Sequence, residues 1–379
     1  MAVYLDCAAT TPVDPRVLDE VVRHLGDDFG NAGSRTHEYG NRARRAVEQA
    51  RDQVAAVVAA SRAEILFTSG ATESNNLALL GLADYGLACG RTHFITTRIE
   101  HHAVLEPLAV LQRRGFEVTY LQVTPSGWVE PEAVREALRP ETLGVSVMQA
   151  NNETGVLQPV EQIAEVLGSH PAYFHVDAAQ GFGKVLAPLR CPRIDLVSIS
   201  GHKLCAPKGI GALVARRRQG ERPPLAPLMF GGGQERGLRP GTLPVALIAG
   251  LGKASELAMA EAEQRSQRAW AFRKRLLAGL ASLKPQLNGD PERVLPNVVN
   301  LSFPGWDAES VMDAWQELAA VSDGAACTSQ SATCSHVLAA MGLTGERIEG
   351  AVRLSWCHFT PEPDLPAMVA ALQGSEKQA

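Results

Sequence analysis

The sequence lacks the features that mark secreted, membrane-spanning or nucleic-acid-binding proteins. It has no positively charged start followed by an apolar run, and no stretch of about eighteen apolar residues anywhere. These absences predict a cytoplasmic protein without a membrane partner. Positive charge is also not in excess, because 36 Lys and Arg stand against 41 Asp and Glu, a net charge of −5. Direct binding to nucleic acid is therefore not expected.

Cysteine is scarce and irregularly spaced. The chain has seven cysteines, an odd number, and none of them forms a C-x-x-C pair. This spacing favours neither a structural zinc site nor a disulfide framework. We interpret the cysteines as free thiols in a reducing compartment, and we predict no metal site.

The pattern of apolar residues predicts an α/β domain. A chain of 379 residues with 45% hydrophobic content can bury a large core, and its length indicates two domains. Amphipathic helical stretches, such as 39–60, separate short apolar runs over the first 250 residues. The predicted strands are 65–68, 93–96, 143–148, 173–177, 194–199 and 210–214. Such alternation is typical of a mostly parallel sheet.

The pattern changes towards the end of the chain. One long helix is predicted for 254–283, and separate strands for 298–303 and 352–355. We therefore expect residues 15–253 to form a large α/β domain, and residues 1–14 with 254–379 to form a smaller α+β domain. The basic run at 216–218 is interpreted as a solvated turn.

A run of small polar residues follows the first long strand. Residues 69–76 read SGATESNN and become helical at Leu77. Small residues at the start of a helix leave backbone N–H groups free to bind a phosphate. The same Ser and Thr residues, with Glu73 downstream, are also typical of an ordinary helix cap. Both interpretations remain open at this point.

Two charged residues lie at the ends of predicted strands. Asp177 ends the strand 173–177, and Lys203 lies on the connection between 194–199 and 210–214. A carboxylate at the carboxyl end of a strand can hold the pyridinium N–H of pyridoxal phosphate, and a lysine can bind that cofactor covalently. Separately, Asp177 fits a helix cap and Lys203 a surface lysine. Together with the phosphate-type loop, they predict a pyridoxal phosphate site.

Six motifs give the chain a family resemblance. They are SGATESNN at 69–76, EH at 100–101, NNE at 151–153, HVDAAQ at 175–180, SGHK at 200–203, and GGGQERG at 231–237 with GTLP at 241–244. In this order and spacing they resemble cysteine desulfurases of the NifS/IscS type, within the class V aminotransferase superfamily. The whole chain also resembles the members that supply sulfur for phosphorothioate modification of DNA.

The resemblance implies a fold and a cofactor. The fold would be fold type I of pyridoxal-phosphate enzymes, with a mostly parallel, seven-stranded sheet in the large domain. Lys203 would bind pyridoxal 5'-phosphate, Asp177 would pair with its ring nitrogen and Gln180 with its ring oxygen. His101 would stack on the ring and help to move protons. The phosphate would be held by Ala71, Thr72, Ser200 and His202, with Thr242 from the second subunit of a homodimer.

The resemblance also implies how the substrate binds. Arg353, assisted by Asn152, would hold the carboxylate of L-cysteine, because a guanidinium can bind both carboxylate oxygens in parallel. Without the resemblance, an arginine between two apolar strand residues more often points outward.

Cys327 is the residue that defines the implied chemistry. Small residues flank it, and by composition alone it fits a buried structural cysteine. The resemblance makes it the nucleophile that takes sulfur from L-cysteine as a persulfide and leaves L-alanine. A sulfur-acceptor protein would receive that sulfur, for DNA phosphorothioation, iron–sulfur cluster assembly or tRNA thiolation.

The chain departs from the family pattern at several cysteines. Cys205 stands where the family often has an aromatic residue, and Trp356-Cys357-His358 stands where Leu-Gly-Arg is usual. Cys334 is either a second sulfur-relay thiol or, as we favour, part of the first turn of a helix at 336–341. The alternatives to a desulfurase are a class V aminotransferase or lyase, which would not need Cys327, a selenocysteine lyase, and a non-catalytic sulfur-transfer scaffold.

Overall fold

The computed structural model describes residues 2–323 and 335–375. Within these ranges the strands β1 to β12 are Val3–Tyr4, Ile65–Thr68, His93–Thr97, Glu117–Leu121, Thr142–Met148, Tyr173–Asp177, Leu196–Ser200, Gly211–Ala215, Gln286–Leu287, Val298–Ser302, Ala319–Ala320 and Ala351–Ser355. The helices α1 to α13 are Pro15–Gly26, Glu38–Val57, Ala71–Leu80, Ala83–Cys89, His102–Arg113, Pro131–Ala137, Val160–Leu167, Val245–Ala260, Ala262–Leu280, Ala308–Trp315, His336–Ala340, Glu346–Glu349 and Leu365–Gly374.

The main sheet has seven strands in the order β2-β8-β7-β6-β5-β3-β4. Strand β8 is antiparallel to both of its neighbours, and all other neighbouring pairs are parallel. Every residue of β5 is buried, as expected for a strand covered by helices on both faces. The predicted seven-stranded, mostly parallel sheet is confirmed.

Helices cover both faces of this sheet. Side chains alternate along a strand, so Leu66 and Phe67 of β2 belong to opposite hydrophobic clusters. Helices α1, α2 and α8 pack together on the Phe67 face, whereas α3 and α5 pack together on the Leu66 face. Helix α2 was predicted at 39–60 and forms at Glu38–Val57. Its buried stripe includes Val47 and Val54.

A smaller sheet lies in the C-terminal part of the chain. Its order is β12-β10-β9, and both pairs are antiparallel. Helices α9, α10 and α13 contribute to its hydrophobic cluster, whose largest fully buried side chains are Trp315, Trp356 and Phe303. Leu5 packs into the same cluster. The short strand β1 pairs in parallel with β11, so the start of the chain is attached to this region.

Two predictions from the sequence are wrong. The single helix predicted for 254–283 is two helices, because the backbone leaves the helical conformation at Glu261 between α8 and α9. Both helices are rich in alanine, so the sequence pattern alone does not mark the break. The solvated turn predicted at 216–218 is also wrong for two of its three residues, since only Arg217 is exposed. Arg216 is buried and donates to the carbonyl of Val58 at 2.7 Å, while Arg218 pairs with buried Asp195.

Candidate active site

A cavity of about 570 Å³ opens at the carboxyl-end edge of the main sheet. Strands β2, β6 and β7 are parallel to one another across the sheet, so the residues that follow them meet at this edge. The predicted site residues that line it are Ala71, Thr72, His101, Asn152, Asp177, Gln180, Ser200, His202, Lys203 and Arg353. The walls thus bring together ten positions spread over nearly the whole chain.

Lys203 lies at the end of a short 3₁₀ turn, Gly201–Lys203, directly after β7. Its ammonium group donates hydrogen bonds to the backbone carbonyls of Ala8 and Ala9, the latter at 2.7 Å. The turn is attached to the same N-terminal segment by Thr11, whose hydroxyl donates to the carbonyl of His202 at 2.8 Å. The predicted position on a connection between two strands is confirmed.

Asp177 is the last residue of β6 and is only 5% exposed. Its Oδ2 accepts a hydrogen bond from the Asn75 side chain at 2.7 Å, and its Oδ1 accepts one from the backbone N–H of Ala179 at 2.9 Å. These two donors hold an otherwise buried carboxylate in one orientation. The contact of Asn75 with Asp177 was not predicted from the sequence, although Asn75 belongs to the 69–76 motif.

The 69–76 motif forms the start of α3. Glu73 accepts a hydrogen bond from the backbone N–H of Ser69 at 2.7 Å and one from Arg239 at 3.0 Å, so it fixes the loop that precedes the helix. Ala71 and Thr72, in the first turn, line the cavity. No side chain caps α3 among the described residues, so the helix-cap interpretation is not confirmed, and the phosphate interpretation stays a prediction. The loop before α3 packs closely against β8 because residue 211 is a glycine, since a Cβ at Gly211 would lie 2.6 Å from the Cα of Gly70.

Two histidines in the cavity wall are held in the neutral form by their surroundings. Burial lowers the pKa of His101; the charge of Asp177 opposes this shift, and the positive charge of Lys203 adds to it. His101 caps α5, because its Nδ1 accepts from the backbone N–H of Ala103 at 3.0 Å. Burial, together with Lys203, also lowers the pKa of His202, to about 4. A neutral ring can accept a proton during a reaction, or stack against a flat ligand.

Arg353 points into the protein, contrary to what its strand neighbours alone favour. It is 1% exposed. Its Nη1 donates to the carbonyl of Asn152 at 3.0 Å, and its Nη2 forms an ion pair with Asp6 at 2.7 Å. The Arg353 Nε has no hydrogen-bond partner among the described residues. The group is therefore a buried cation in the cavity wall with unused donor capacity.

The cavity meets the chemical requirements of pyridoxal phosphate. The first turn of α3 offers a phosphate site, Asp177 offers a carboxylate to a ring nitrogen, and Lys203 offers an amine. Among the described residues, the side-chain oxygens of Asn75 and Gln180 are buried in the wall without a hydrogen-bond partner. A polar ligand would complete these contacts.

Two predicted residues are not among the described lining. Thr242 is exposed and lies outside the cavity wall. Cys327 lies outside the described residues, as does Cys334. The described residues that flank them are close to the cavity: Ser322 pairs with Arg353 through the backbone, and the Ser335 hydroxyl donates to Glu153. Helix α11 forms at His336–Ala340, close to the predicted 336–341, and Ser335 caps it.

Glu153 is a further residue that the sequence did not assign to the cavity region. It is 3% exposed and follows Asn152. Burial raises its pKa to about 7, although the Ser335 hydrogen bond and the charge of Arg353 oppose this shift. Glu100, which precedes His101, is similar, because burial raises its pKa to about 8. Its carboxylate accepts from the backbone N–H of Met148 at 3.0 Å.

Comparison with known proteins shows the family to which this chain belongs. Residues 3–368 match the family model of class-V aminotransferases, and the chain belongs to that family, whose members use pyridoxal phosphate.

The relatives narrow this to one activity class. The chain is 45% identical to cysteine desulfurase IscS of Methylococcus capsulatus, over 98% of this chain and 92% of the relative. It is 46% identical to the mitochondrial cysteine desulfurase of Arthroderma benhamiae, over 98% of this chain and 74% of the relative. The crystal structure of DndA from Streptomyces lividans superposes with a TM-score of 0.82 at 55% identity, and covers 93% of this chain and 99% of that one. Within its family, the chain is a cysteine desulfurase.

Among the described residues, no helix combines the length and the apolar character needed to cross a bilayer.

Proposed function

We propose that this desulfurase transfers the sulfur of L-cysteine to the Cys327 thiol, which becomes a persulfide, and releases L-alanine. The atoms balance, because L-cysteine and L-alanine differ by one sulfur atom, and a thiol and its persulfide differ by the same atom. The observation that carries the proposal is the convergence of Lys203, Asp177 and Arg353 on one cavity. An amine, a carboxylate and a guanidinium are the groups needed to hold the cofactor and an amino-acid substrate.

We propose that Lys203, Asp177 and Gln180 hold the cofactor, with Ala71, Thr72, Ser200 and His202 around its phosphate. When bound, pyridoxal phosphate serves as an electron sink for the substrate carbon atom that loses a proton. The Lys203 amine is the base for that proton, because an amine at the end of a flexible side chain in the cavity wall can reach it. His101 accepts or returns a second proton, because its lowered pKa leaves it neutral.

Substrate binding uses Arg353 and Asn152. In the free protein the Arg353 charge is balanced by Asp6, which is itself about one-fifth exposed. The carboxylate of L-cysteine would take over one of these guanidinium contacts. Arg353 thereby orients the substrate by the end that does not react.

Cys327 is proposed as the sulfur acceptor on the basis of its flanks. Ser322 on one side hydrogen-bonds to the backbone of Arg353, with N–H···O distances of 3.3 and 2.6 Å in the two directions. Ser335 on the other side contacts Glu153. Both ends of the segment that contains Cys327 therefore start from residues beside the substrate-binding side chains.

We also propose a homodimer in which Thr242 reaches the phosphate site of the partner subunit. The support is the character of the surface near Thr242. Phe230 is 88% exposed, and Leu228 and Met229 are about two-fifths exposed. Large apolar side chains at the surface favour burial against another molecule. The molar mass in solution, from light scattering, tests this proposal, and a monomer at working concentration contradicts it.

We propose a division into two domains, residues 15–253 and residues 1–14 with 254–379. Separate hydrophobic clusters support it, because Leu5 packs with the C-terminal cluster. Leu257 and Ala258 still pack with the first cluster. This favours a boundary slightly later, at the break at Glu261.

The acceptor of the sulfur is proposed to be a cytoplasmic protein of DNA phosphorothioation. The 55% identity to DndA, which exceeds the 45% identity to IscS, supports this choice over iron–sulfur assembly or tRNA thiolation. With a net charge of −5, contact with DNA would be indirect. Radiolabelled sulfur from L-cysteine, offered with one acceptor protein of each class, identifies the preferred route.

The test of the reaction uses holoenzyme with L-cysteine and a thiol reductant. Alanine and sulfide release are compared for wild type, Cys327→Ser and Lys203→Ala, with Cys89→Ser and Lys274→Ala as exposed matched controls. We expect both site variants to lose turnover, while Cys327→Ser keeps the visible absorbance of the bound cofactor. Turnover by Cys327→Ser at the wild-type rate would instead favour an aminotransferase or lyase. Preference for selenocysteine, independent of Cys327, would favour a selenocysteine lyase.

A further inference from the structure

A second cavity, of about 80 Å³, lies next to Lys203. Lys203 is part of the wall of both cavities. The wall of the second cavity also contains two thiols, those of Cys205 and Cys357, and the basic side chains of Lys184 and Arg265. The proposed desulfurase reaction uses neither thiol.

A third thiol completes a cluster behind this wall. Cys357 lies beside both Cys205 and Cys7, close enough for the three thiols to alter one another's pKa. The Thr360 hydroxyl donates to the sulfur of Cys357 at 3.7 Å and lies 3.9 Å from the sulfur of Cys7. The three cysteines follow β1, the Lys203 turn and β12, so only the tertiary structure brings them together. We call Cys7, Cys205 and Cys357 the thiol cluster.

The thiols of the cluster are chemically unequal. Hydrogen bonds from Cys205 and then Cys7 lower the pKa of Cys357. The same contacts with Cys357, reinforced by burial, raise the pKa of Cys7 and Cys205. The arrangement therefore favours the thiolate form of Cys357 over the thiolate forms of Cys7 and Cys205. A stabilised thiolate beside a protonated thiol can be oxidised and then resolved as a disulfide.

Exposure to the second cavity indicates which two thiols of the cluster react. Cys205 and Cys357 line the second cavity, and Cys357 is the more exposed of the two. Cys7 is 2% exposed and is not among the described residues of that wall. A small neutral oxidant in the cavity would meet Cys357 first, with Cys205 next to it.

We propose that Cys205 and Cys357 form a reversible oxidation site for hydrogen peroxide or a small organic peroxide. The Cys357 thiolate attacks one peroxide oxygen, the O–O bond breaks, and hydroxide or alkoxide leaves. The resulting sulfenic acid is then attacked by the sulfur of Cys205. An S–S bond forms and the S–OH oxygen departs with the Cys205 proton as water. The two sulfurs lose two electrons in total, and the peroxide gains them.

The bond would connect two parts of the active site. Cys205 lies two residues after Lys203, and Cys357 lies four residues after Arg353. A disulfide between them would tie the cofactor-binding turn to the end of β12. Oxidation of Cys205 and Cys357 would therefore act on the two segments that carry the proposed base, Lys203, and the proposed substrate-binding residue, Arg353.

The test is peptide mapping of the wild-type holoenzyme, which needs neither turnover nor a variant that folds. The protein is treated with hydrogen peroxide without reductant, alkylated, digested and analysed by mass spectrometry. We expect a Cys205–Cys357 cross-linked peptide that dithiothreitol removes. Exposed Cys89 is the internal control and should form no intramolecular cross-link. Repetition with Cys327→Ser should give the same cross-link, because the proposed catalytic thiol takes no part.

A matched pair of variants then assigns the two roles. In Cys205→Ser, Cys357 should instead be found as sulfinic acid or linked to Cys7, because Cys7 is the other described thiol beside it. In Cys357→Ser, Cys205 should stay unoxidised. The proposal is overturned if both cysteines of the wild type remain as alkylatable after peroxide as before. It is also overturned if Cys357 of the wild type is found linked to Cys7 instead.

Discussion

Replacement of Arg353 by lysine should weaken substrate binding much more than it slows turnover. The Arg353 guanidinium contacts the Asn152 carbonyl at 3.0 Å through one nitrogen and Asp6 at 2.7 Å through another. A lysine ammonium is a single centre on a different stem and cannot make two parallel contacts. The variant should therefore lose about one charge-assisted hydrogen bond to the substrate carboxylate.

The size of the effect follows from that loss. A hydrogen bond to a charged group contributes about 1.5–3 kcal/mol. At about 1.4 kcal/mol per factor of ten, KM for L-cysteine should rise about 10- to 150-fold. Because the carboxylate is remote from the breaking C–S bond, kcat should fall much less. Steady-state alanine release over a range of L-cysteine concentrations separates the two constants.

The control is Arg347→Lys, since Arg347 is also partly buried and hydrogen-bonded, to Asn288 at 2.9 Å, but is absent from the described wall of the active-site cavity. Its KM should match that of wild type. An Arg353→Lys enzyme that keeps the wild-type KM and loses only kcat would refute the assignment of Arg353 to the substrate carboxylate.

Four further outcomes are expected. Asp6→Asn should lower KM for L-cysteine, because the substrate carboxylate no longer displaces a charged partner of the guanidinium; a raised KM would contradict this. Gly211→Ala should lower the melting temperature, since its Cβ would lie 2.3 Å from a backbone carbonyl oxygen; Gly26→Ala, whose Cβ would meet no atom within 4 Å, is the control and should not lower it. Arg51→Met should cost about 3–5 kcal/mol of stability, because the carboxylate of Glu235 would stay fully buried without its ion-pair partner; an unchanged denaturation midpoint would refute it. Burial raises the pKa of the Glu153 carboxyl to about 7, so between its unfolded-state pKa and neutral pH the folded state keeps a proton that the unfolded state releases. The contribution of Glu153 should therefore stabilise the protein at low pH and be lost as pH rises through neutrality. Glu153→Gln should flatten that part of the profile of melting temperature against pH.

The predictability of the site differed from residue to residue. Lys203 and Asp177 were predictable because each follows a strongly apolar strand, and parallel strands place such residues at one edge of the sheet. The inward orientation of the Arg353 side chain was not predictable, because its immediate neighbours in the sequence are apolar on either side. Its inward orientation depends on Asp6, which is 347 positions away in the chain.

Similar limits explain the wrong helix prediction and the unforeseen thiol cluster. Alanine-rich periodicity continues through Glu261, so the break between α8 and α9 is set by the two clusters on which these helices pack. The seven cysteines looked scattered because spacing along the chain says nothing about contacts between loops that are far apart in it. Cys7 and Cys357 meet because the segment after β1 bridges to the end of β12 through Asp6 and Ser355.

The linear order of residues determined the sheet, most of its helices and the motifs proposed to bind the cofactor, because hydrophobic periodicity and helix caps act over a few residues. Long-range packing alone decided which charges are paired, which thiols touch and which side of β12 faces the cavity. These features depend on the relative positions of elements whose contacts span hundreds of residues. Burial then fixes their chemistry, because the pKa of a group responds to everything packed around it and not only to its neighbours in sequence.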